Sequence, residues 1–156
     1  MRLVIQRVSR ASVRVDGGEV ASVGRGLLVL AAVEKGDSVA TLQRAAEKVR
    51  LLRCFPDPEG KMTLSVEDVR GAILAVSQFT LAATLEKGRR PSFDRAEEPE
   101  RAREMFAALV RLLGAGGATV RTGVFGGHME VELVNDGPVT FVWSSPGAVE
   151  KGDREG

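Results

Sequence analysis

The apolar run LLVLAAV at residues 27–33 constrains the fold of this chain more than any other feature. It is bounded by Gly26 on one side and by Glu34-Lys35-Gly36 on the other. A short apolar run between turn signals has the length and composition of a β-strand that is buried on both faces. The run therefore predicts a central strand of a sheet.

The N-terminal segment predicts an antiparallel ribbon. LVIQRV (3–8) and ASVRV (11–15) are rich in residues that favour strands, and the second alternates between apolar and polar side chains. Asp16-Gly17-Gly18 supplies a turn into EVASV. We therefore expect paired strands before the central strand.

The spacing of apolar residues predicts two helices. The first is capped by Asp37 and ends before the loop at 56–60. The second has Pro99 in its first turn and ends at Gly114. The residues of the two apolar faces are Val39, Leu42, Ala46, Val49 and Leu52 in the first helix, and Ala102, Phe106, Leu109 and Leu113 in the second.

Four further segments have strand character. AILAVSQFTL (72–81) predicts a second buried strand that turns polar at its end, and TVRTG, HMEVELV and VTFVW predict three more. Gly137-Pro138 lies between the last two and predicts the tip of a hairpin. Together the elements predict a mixed α/β domain in which two helices cover a largely antiparallel sheet system.

The length of the chain bounds the number of domains. A chain of 156 residues is long enough for one domain that buries about 70% of its unfolded surface, and too short to predict two. We predict a single domain over residues 1–143. Residues 144–156 carry Pro, Gly and charges without periodicity, which predicts a disordered tail.

Charge, cysteine content and hydropathy limit the partners and the compartment. With 22 Lys and Arg against 21 Asp and Glu residues, net charge gives no reason to propose nucleic-acid binding, which would need a local patch. The lone Cys54 cannot form an internal disulfide and fits a reducing compartment. The longest apolar run is far shorter than the ~20 residues of a membrane span, and the N-terminus lacks a signal-peptide pattern. We expect a cytoplasmic protein with no membrane partner.

Few side chains could carry catalysis. The only histidine, His128, falls with Glu130 and Glu132 on the polar face of its predicted strand, where a solvated position is expected. A solvated histidine argues against a Ser-His-Asp triad. The sequence has neither paired cysteines nor a histidine cluster to bind zinc, so we predict no metal and no cofactor. Ser77-Gln78-Phe79-Thr80 remains, at the end of a buried strand where α/β folds place many sites. Composition leaves open whether its hydroxyls act or only bond a neighbouring carbonyl.

Three segments resemble the D-aminoacyl-tRNA deacylases. VSQFTLAA (76–83), GRRPSF (88–93) and LVNDGPVTF (133–141) carry the SQFT and NxGPVT motifs of that family in the same order and at about the same separation. IQRV, GLLVL and EGKM match as well, so the resemblance runs from Met1 to about Trp143. GVFGGHMEV departs from it, with Gly127-His128 where a small residue and a varied polar residue are more usual.

The resemblance implies a fold, an activity and an assembly. The fold is a three-layer α/β/β arrangement. The enzyme is a homodimeric hydrolase that removes D-amino acids, and glycine wrongly attached to tRNA(Ala), from the 3′-terminal adenosine of tRNA. An aminoacyl ester is already activated, so position and backbone N–H groups can suffice for its hydrolysis. The lack of a histidine base is then no obstacle.

The resemblance also implies roles for residues of the pocket. The backbone amides of Phe79 and Thr80 are the expected donors to the oxyanion, and Gln78 is expected to hold the adenosine or its ribose. Phe125 and Met129 are expected to line the adenine pocket, although a Phe and a Met at such spacing are core residues in most proteins.

Two further groups of residues have implied roles outside that pocket. The Gly137-Pro138 peptide bond is expected to be cis, with carbonyls that enter the partner subunit's pocket and leave no room for an L side chain. Arg7 is expected to brace this turn at the edge of the substrate pocket. Lys87, Arg89 and Arg90 are expected to meet tRNA phosphates, with solvated loop charges as the alternative.

Three other functions stay open from the sequence. One is an esterase with Thr80 or Ser77 as nucleophile, which needs a neighbouring base. Another is a module that binds RNA or a nucleotide without catalysis. The third is the paralogous animal deacylase that acts on mischarged L-aminoacyl-tRNA, whose motifs differ from SQFT and GPVT.

Overall fold

A computed structural model describes residues 1–146 of the chain. Its strands are β1 (Arg2–Val15), β2 (Gly18–Val23), β3 (Gly26–Ala32), β4 (Phe55–Pro56), β5 (Met62–Leu64), β6 (Ala72–Ser77), β7 (Val120–Thr122) and β8 (Glu130–Ser144). Its α-helices are α1 (Val39–Leu51) and α2 (Pro99–Leu113). Within this part of the chain, neither helix combines the length and the apolar character needed to cross a membrane.

The main sheet is built around β3, as the apolar run predicts. Its strand order is β2-β1-β3-β6-β7, and β8 pairs with β1. Pairs β3-β6 and β6-β7 are parallel, whereas β1 pairs antiparallel with β2, β3 and β8. Parallel neighbours need a crossover connection. The chain between β3 and β6 therefore contains α1, which packs on one face of the sheet.

Two apolar cores lie on opposite sides of β3 and β6. Leu27, Val29 and Ile73 pack with the helices in one core. Leu28 and Leu74, on the alternate positions, pack in the other core with the second half of β1, with β2 and with β8. Successive side chains of a strand point to opposite faces, so both faces of these strands are covered. The predicted three-layer α/β/β fold is confirmed.

The N-terminal ribbon differs from its prediction in one respect. β1 is a single strand of 14 residues instead of two short ones. Its first half pairs with β3 and its second half with β2, so one strand connects the two sheet layers. The predicted turn at Asp16-Gly17 is present, with φ values of 51° and 78° at these two residues.

The helix ends are only partly those predicted. The N-cap of α1 is Ser38, whose side chain accepts from the Thr41 N–H, and the Thr41 hydroxyl accepts from the Ser38 N–H. Asp37 is not the cap, because it is buried and paired with the N-terminal ammonium. Val39 does not face the core and is 67% exposed. Pro99 begins α2 and Gly114 caps its end, as predicted.

The N-terminal ammonium group joins the two ends of the described chain. It donates to Glu34 Oε2 at 3.0 Å, to Asp37 Oδ1 at 2.7 Å and to the Ser145 hydroxyl at 2.9 Å. Ser144 belongs to β8 and Ser145 is buried, so the predicted disordered tail over 144–156 is wrong at its start. Residues 147–156 of that predicted tail lie outside the described residues.

Candidate active site

The SQFT segment leaves the sheet earlier than predicted. β6 ends at Ser77, and Phe79–Ala82 form a 3-10 turn instead of continuing the strand to residue 81. The Gln78 N–H still donates to the Ala31 carbonyl of β3 at 2.8 Å, but the Leu81 N–H turns back to the Gln78 carbonyl at 3.2 Å. The chain turns into a 3-10 helix at this point because β3, the strand with which β6 pairs, also ends.

This turn leaves two backbone donors without a partner in the part of the chain that the structure describes. The first N–H groups of a helical turn have no acceptor inside the turn. Neither the Phe79 nor the Thr80 N–H donates to any residue between 1 and 146. The Thr80 hydroxyl accepts from Gln78 Nε2, which ties the side chains of these two residues together. Adjacent N–H groups of this kind form a concave site that suits a negatively charged oxygen.

A cavity of about 260 Å³ adjoins the end of β6. It lies between the ends of β3 and β6, helix α2 and the segment that leads into β8. The predicted residues that line it are Ser77, Gln78, Phe79, Phe125 and Met129. Thr80 is exposed and is not among the lining residues.

One wall of the cavity is aromatic and contains a thioether. The Phe125 ring lies 6.0 Å from the Phe106 ring between centroids, and the Arg103 guanidinium lies 4.8 Å from the Phe125 centroid. Met129 packs over Gly123, where an added Cβ would lie 2.5 Å from its sulfur. The side chains thus form an apolar wall against which a planar ring can pack.

The cavity also has lining residues that sequence reasoning missed. Glu97 precedes α2, and its side chain is 10% exposed and accepts from Arg101 Nε at 3.0 Å. Its N–H bonds the Val33 carbonyl at 3.0 Å, which places it beside the end of β3. His128 is exposed, as predicted, but also lines the cavity. The only sequence signal that His128 would line the cavity was its position directly before Met129.

The Gly137-Pro138 segment is a bulge and not the tip of a hairpin. Asn135 pairs with Val8 of β1 and Thr140 with Gln6, so the four residues 136–139 stand opposite one residue of β1. Both flanking segments pair with the same long strand, and the chain therefore keeps its direction. The peptide bond is cis, as predicted.

Two side chains hold the bulge in place. Arg7 Nε donates to the Asp136 carbonyl at 2.8 Å, and its Nη1 donates to the Cys54 carbonyl at 2.7 Å. The Asn135 side chain accepts from the Val139 N–H at 2.7 Å and donates to the Thr140 hydroxyl at 2.9 Å.

Arg7 and the bulge do not line the cavity of their own chain. Gly137 and Pro138 are exposed, and neither they nor Arg7 line that cavity. Beside Arg7, burial raises the pKa of the Cys54 thiol, an effect that the nearby guanidinium opposes. A neutral thiol in this position is a packing residue.

The basic loop forms a short hairpin next to the SQFT turn. Thr84 and Ser92 exchange two backbone hydrogen bonds, at 2.8 and 3.0 Å. Lys87, Arg89 and Arg90 lie between them, are exposed, and form no ion pair with the part of the chain that the structure describes. In residues 1–146, no group of three or more His, Cys, Asp or Glu side chains is placed to hold a metal ion.

Comparison with known proteins decides the family. The model of the D-Tyr-tRNA(Tyr) deacylase family matches residues 4–144. The chain belongs to this family. A D-aminoacyl-tRNA deacylase from Geotalea uraniireducens is 53% identical over 154 residues, which cover 99% of each chain. One from Geobacter sulfurreducens is 54% identical over 142 residues, which cover 91% of this chain and 93% of the relative.

A solved structure has the same fold as this member of the deacylase family. The c-Myc DNA Unwinding Element Binding Protein superposes with a TM-score of 0.88 at 38% identity, covering 94% of this chain and 99% of its own. The resemblance read from the SQFT and GPVT motifs is therefore confirmed. The predicted enzyme class, a hydrolase of the deacylase family, is confirmed as well.

Proposed function

We propose that this deacylase hydrolyses the ester bond between a D-amino acid, or glycine misattached to tRNA(Ala), and the 3′-terminal adenosine of tRNA. The observation that carries the proposal is the pair of N–H groups at Phe79 and Thr80, which bond no residue in 1–146, at the mouth of a cavity with one apolar wall. The cavity receives the adenosine, with the base against Phe125 and Met129. Gln78 holds the ribose at the rim.

The chemistry needs little from side chains. Water attacks the ester carbonyl, and the Phe79 and Thr80 N–H groups stabilise the negative oxygen of the tetrahedral intermediate. Collapse of this intermediate breaks the C–O bond to the ribose. The proton that the attacking water loses passes to the departing ribose oxygen, and the free amino acid and the tRNA hydroxyl are released. A single well-placed donor of this kind contributes roughly 10²–10³ to the rate. Because the ester is already activated and the backbone donors are fixed in place, a side-chain base is dispensable.

Chiral selection is assigned to the Gly137-Pro138 bulge of a second copy of the chain. The bulge is exposed, braced by Arg7 and held by the Asn135 side chain, and it does not line its own chain's cavity. Its carbonyls would crowd the α-carbon of the substrate in the partner subunit's site and reject an L side chain. Rejection by a clash leaves glycine untouched, since glycine has no side chain. The functional unit is therefore a homodimer.

The rest of the tRNA is held by the basic hairpin. Lys87, Arg89 and Arg90 are exposed cations beside the SQFT turn, where phosphates near the acceptor end would lie. Because aminoacyl-tRNA is used in translation, this substrate also fits an enzyme of the cytoplasm. Replacement of Arg89 and Arg90 by Ala is expected to weaken tRNA binding and to flatten its dependence on salt.

Matched D- and L-aminoacyl-tRNA test the function directly. The purified protein is incubated with both, and with glycyl-tRNA(Ala), and loss of the ester is followed over time. We expect rapid loss of the D and glycyl esters and survival of the L ester. A protein that binds tRNA without catalysis would spare all three, whereas the animal paralogue's activity would remove the L ester.

A further inference from the structure

Two phenylalanine rings form an exposed ledge at the rim of the cavity. The Phe79 and Phe93 ring centroids lie 5.1 Å apart with an interplanar angle of 56°. Phe79 is 60% exposed and Phe93 is 38% exposed, and Phe79 also lines the cavity. Aromatic side chains carry large apolar areas that are usually buried. A ledge of this kind at the mouth of a site suits a ligand that extends out of it.

The basic hairpin is attached to this ledge. Phe93 directly follows Ser92, whose two hydrogen bonds to Thr84 close the hairpin. Between them the hairpin carries the three cations Lys87, Arg89 and Arg90 against one acidic residue, Glu86. The whole chain has a net charge of only +1, so positive charge is concentrated next to the two rings.

We propose that the ledge is a stacking platform for the unpaired nucleotide that precedes the terminal adenosine of tRNA. One base stacks on the face of the Phe93 ring and contacts the edge of the tilted Phe79 ring, and the hairpin cations bind the phosphates on either side of it. This inference rests on the proposed function, which places the adenosine in the adjoining cavity. Aromatic faces next to backbone-binding cations are the chemistry by which proteins hold single-stranded nucleic acid.

The test compares two substrates that differ only in the nucleotides outside the cavity. D-aminoacyl-tRNA has the preceding nucleotide, whereas a D-aminoacyl-adenosine ester has none. We expect Phe93→Ala to lower kcat/KM for D-aminoacyl-tRNA by about 5- to 150-fold, the range that corresponds to loss of one stacked base. Hydrolysis of the adenosine ester should stay within about twofold of the rate of the unmodified protein. This substrate lacks the nucleotide that stacks on Phe93, so the substitution removes no contact to it.

Three variants serve as matched controls. Phe93→Trp keeps an aromatic face and should retain activity on D-aminoacyl-tRNA, whereas Phe93→Leu keeps apolar bulk without a ring face and should lose it. Leu85→Ala removes an exposed apolar side chain of the same hairpin but no ring, and should leave both substrates unaffected. Sedimentation of each variant reports whether the assembly has changed.

Several outcomes would overturn the stacking platform. Equal loss on both substrates would mean that Phe93 only supports the SQFT turn. Full activity of Phe93→Leu would mean that apolar bulk suffices and that no base stacks on a ring. A change of oligomeric state in Phe93→Ala would mean that the ledge is covered by another copy of the chain. An unmodified protein that hydrolyses neither substrate would overturn the proposed function itself, whereas activity on both with no effect of Phe93→Ala would overturn the platform alone.

Discussion

At the scale of single residues, the candidate active site depends on backbone atoms more than on side chains. The Gln78 N–H is fixed to the Ala31 carbonyl of β3, which sets where the chain leaves the sheet. The next two N–H groups, of Phe79 and Thr80, follow in the helical turn and bond no acceptor within residues 1–146. A site of this kind tolerates changes of side chain as long as the turn keeps its shape.

The Thr80 hydroxyl is therefore expected to be dispensable. Thr80→Ala keeps the backbone N–H and should retain deacylase activity on D-aminoacyl-tRNA within about tenfold, whereas loss of a true nucleophile costs roughly 10⁶ in kcat. Ser77→Ala should behave in the same way. Single-turnover kinetics with each variant measures the effect. Detection by mass spectrometry of an aminoacyl group on Thr80 would contradict this prediction.

At the scale of secondary-structure elements, the fold depends on close contact between β3 and β6 and on the length of β1. Gly26 begins β3 and lies against Ala72 of β6, where the two backbones approach closely. β1 is long enough to pair with both halves of β8, and this pairing is what forces residues 136–139 into a bulge. Each contact gives a prediction.

Gly26→Ala should destabilise the fold. A Cβ at this position would lie 1.8 Å from the Ala72 carbonyl oxygen, and backbone atoms cannot move aside as a flexible side chain can. We expect the free energy of unfolding to fall by about 3 kcal/mol, the upper part of the range for overpacking. Gly24→Ala is the control, because an added Cβ there meets nothing within 4 Å. Equal denaturation midpoints for the two variants would refute the prediction.

Asn135→Ala should loosen the bulge and reduce chiral selection. It removes the bonds to the Val139 N–H and the Thr140 hydroxyl, at a cost of about 1–2 kcal/mol in stability. We expect hydrolysis of L-aminoacyl-tRNA to rise while hydrolysis of D-aminoacyl-tRNA changes less. Asp136→Ala is the matched control, since it keeps the carbonyl that Arg7 binds at 2.8 Å and removes only the longer, exposed ion pair between the Asp136 carboxylate and Arg7 Nε at 3.6 Å. An unchanged ratio of the two rates in Asn135→Ala would remove the bulge from chiral selection.

At the scale of the whole molecule, one copy of the chain does not bring the candidate catalytic turn and the candidate chiral filter together in one site. The cavity is bounded by β3, β6 and α2, whereas the Gly137-Pro138 bulge projects from β1 and β8 and does not line it. If both act on one substrate, a second copy must supply the bulge, and an isologous contact is the commonest way to do so.

Sedimentation and activity should therefore change together on dilution. We expect a dimer at micromolar concentration, and loss of selection against L-aminoacyl-tRNA at concentrations where the dimer dissociates. Analytical ultracentrifugation and the D/L rate ratio are measured over the same dilution series. A stable monomer that still rejects L-aminoacyl-tRNA would show that one copy is sufficient.

The sequence by itself determined the features that depend on neighbours along the chain. The buried run at 27–33 predicted the central strand, Pro99 and Gly114 predicted the ends of α2, and the two motifs at 77–80 and 137–138 predicted the family. Local periodicity and turn chemistry are enough for these, because the interactions that decide them lie within a few residues.

Only the tertiary structure decided the features that depend on distant partners. Gly137-Pro138 looks like a hairpin tip until one long β1 is seen to pair with both sides of it. Asp37 is a residue type that often caps helices, but its carboxylate accepts a hydrogen bond from the N-terminal ammonium. Ser38 caps α1 instead. Glu97 enters the cavity through a bond to Val33, far away in sequence. Such contacts are set by packing between layers, and no local pattern carries them.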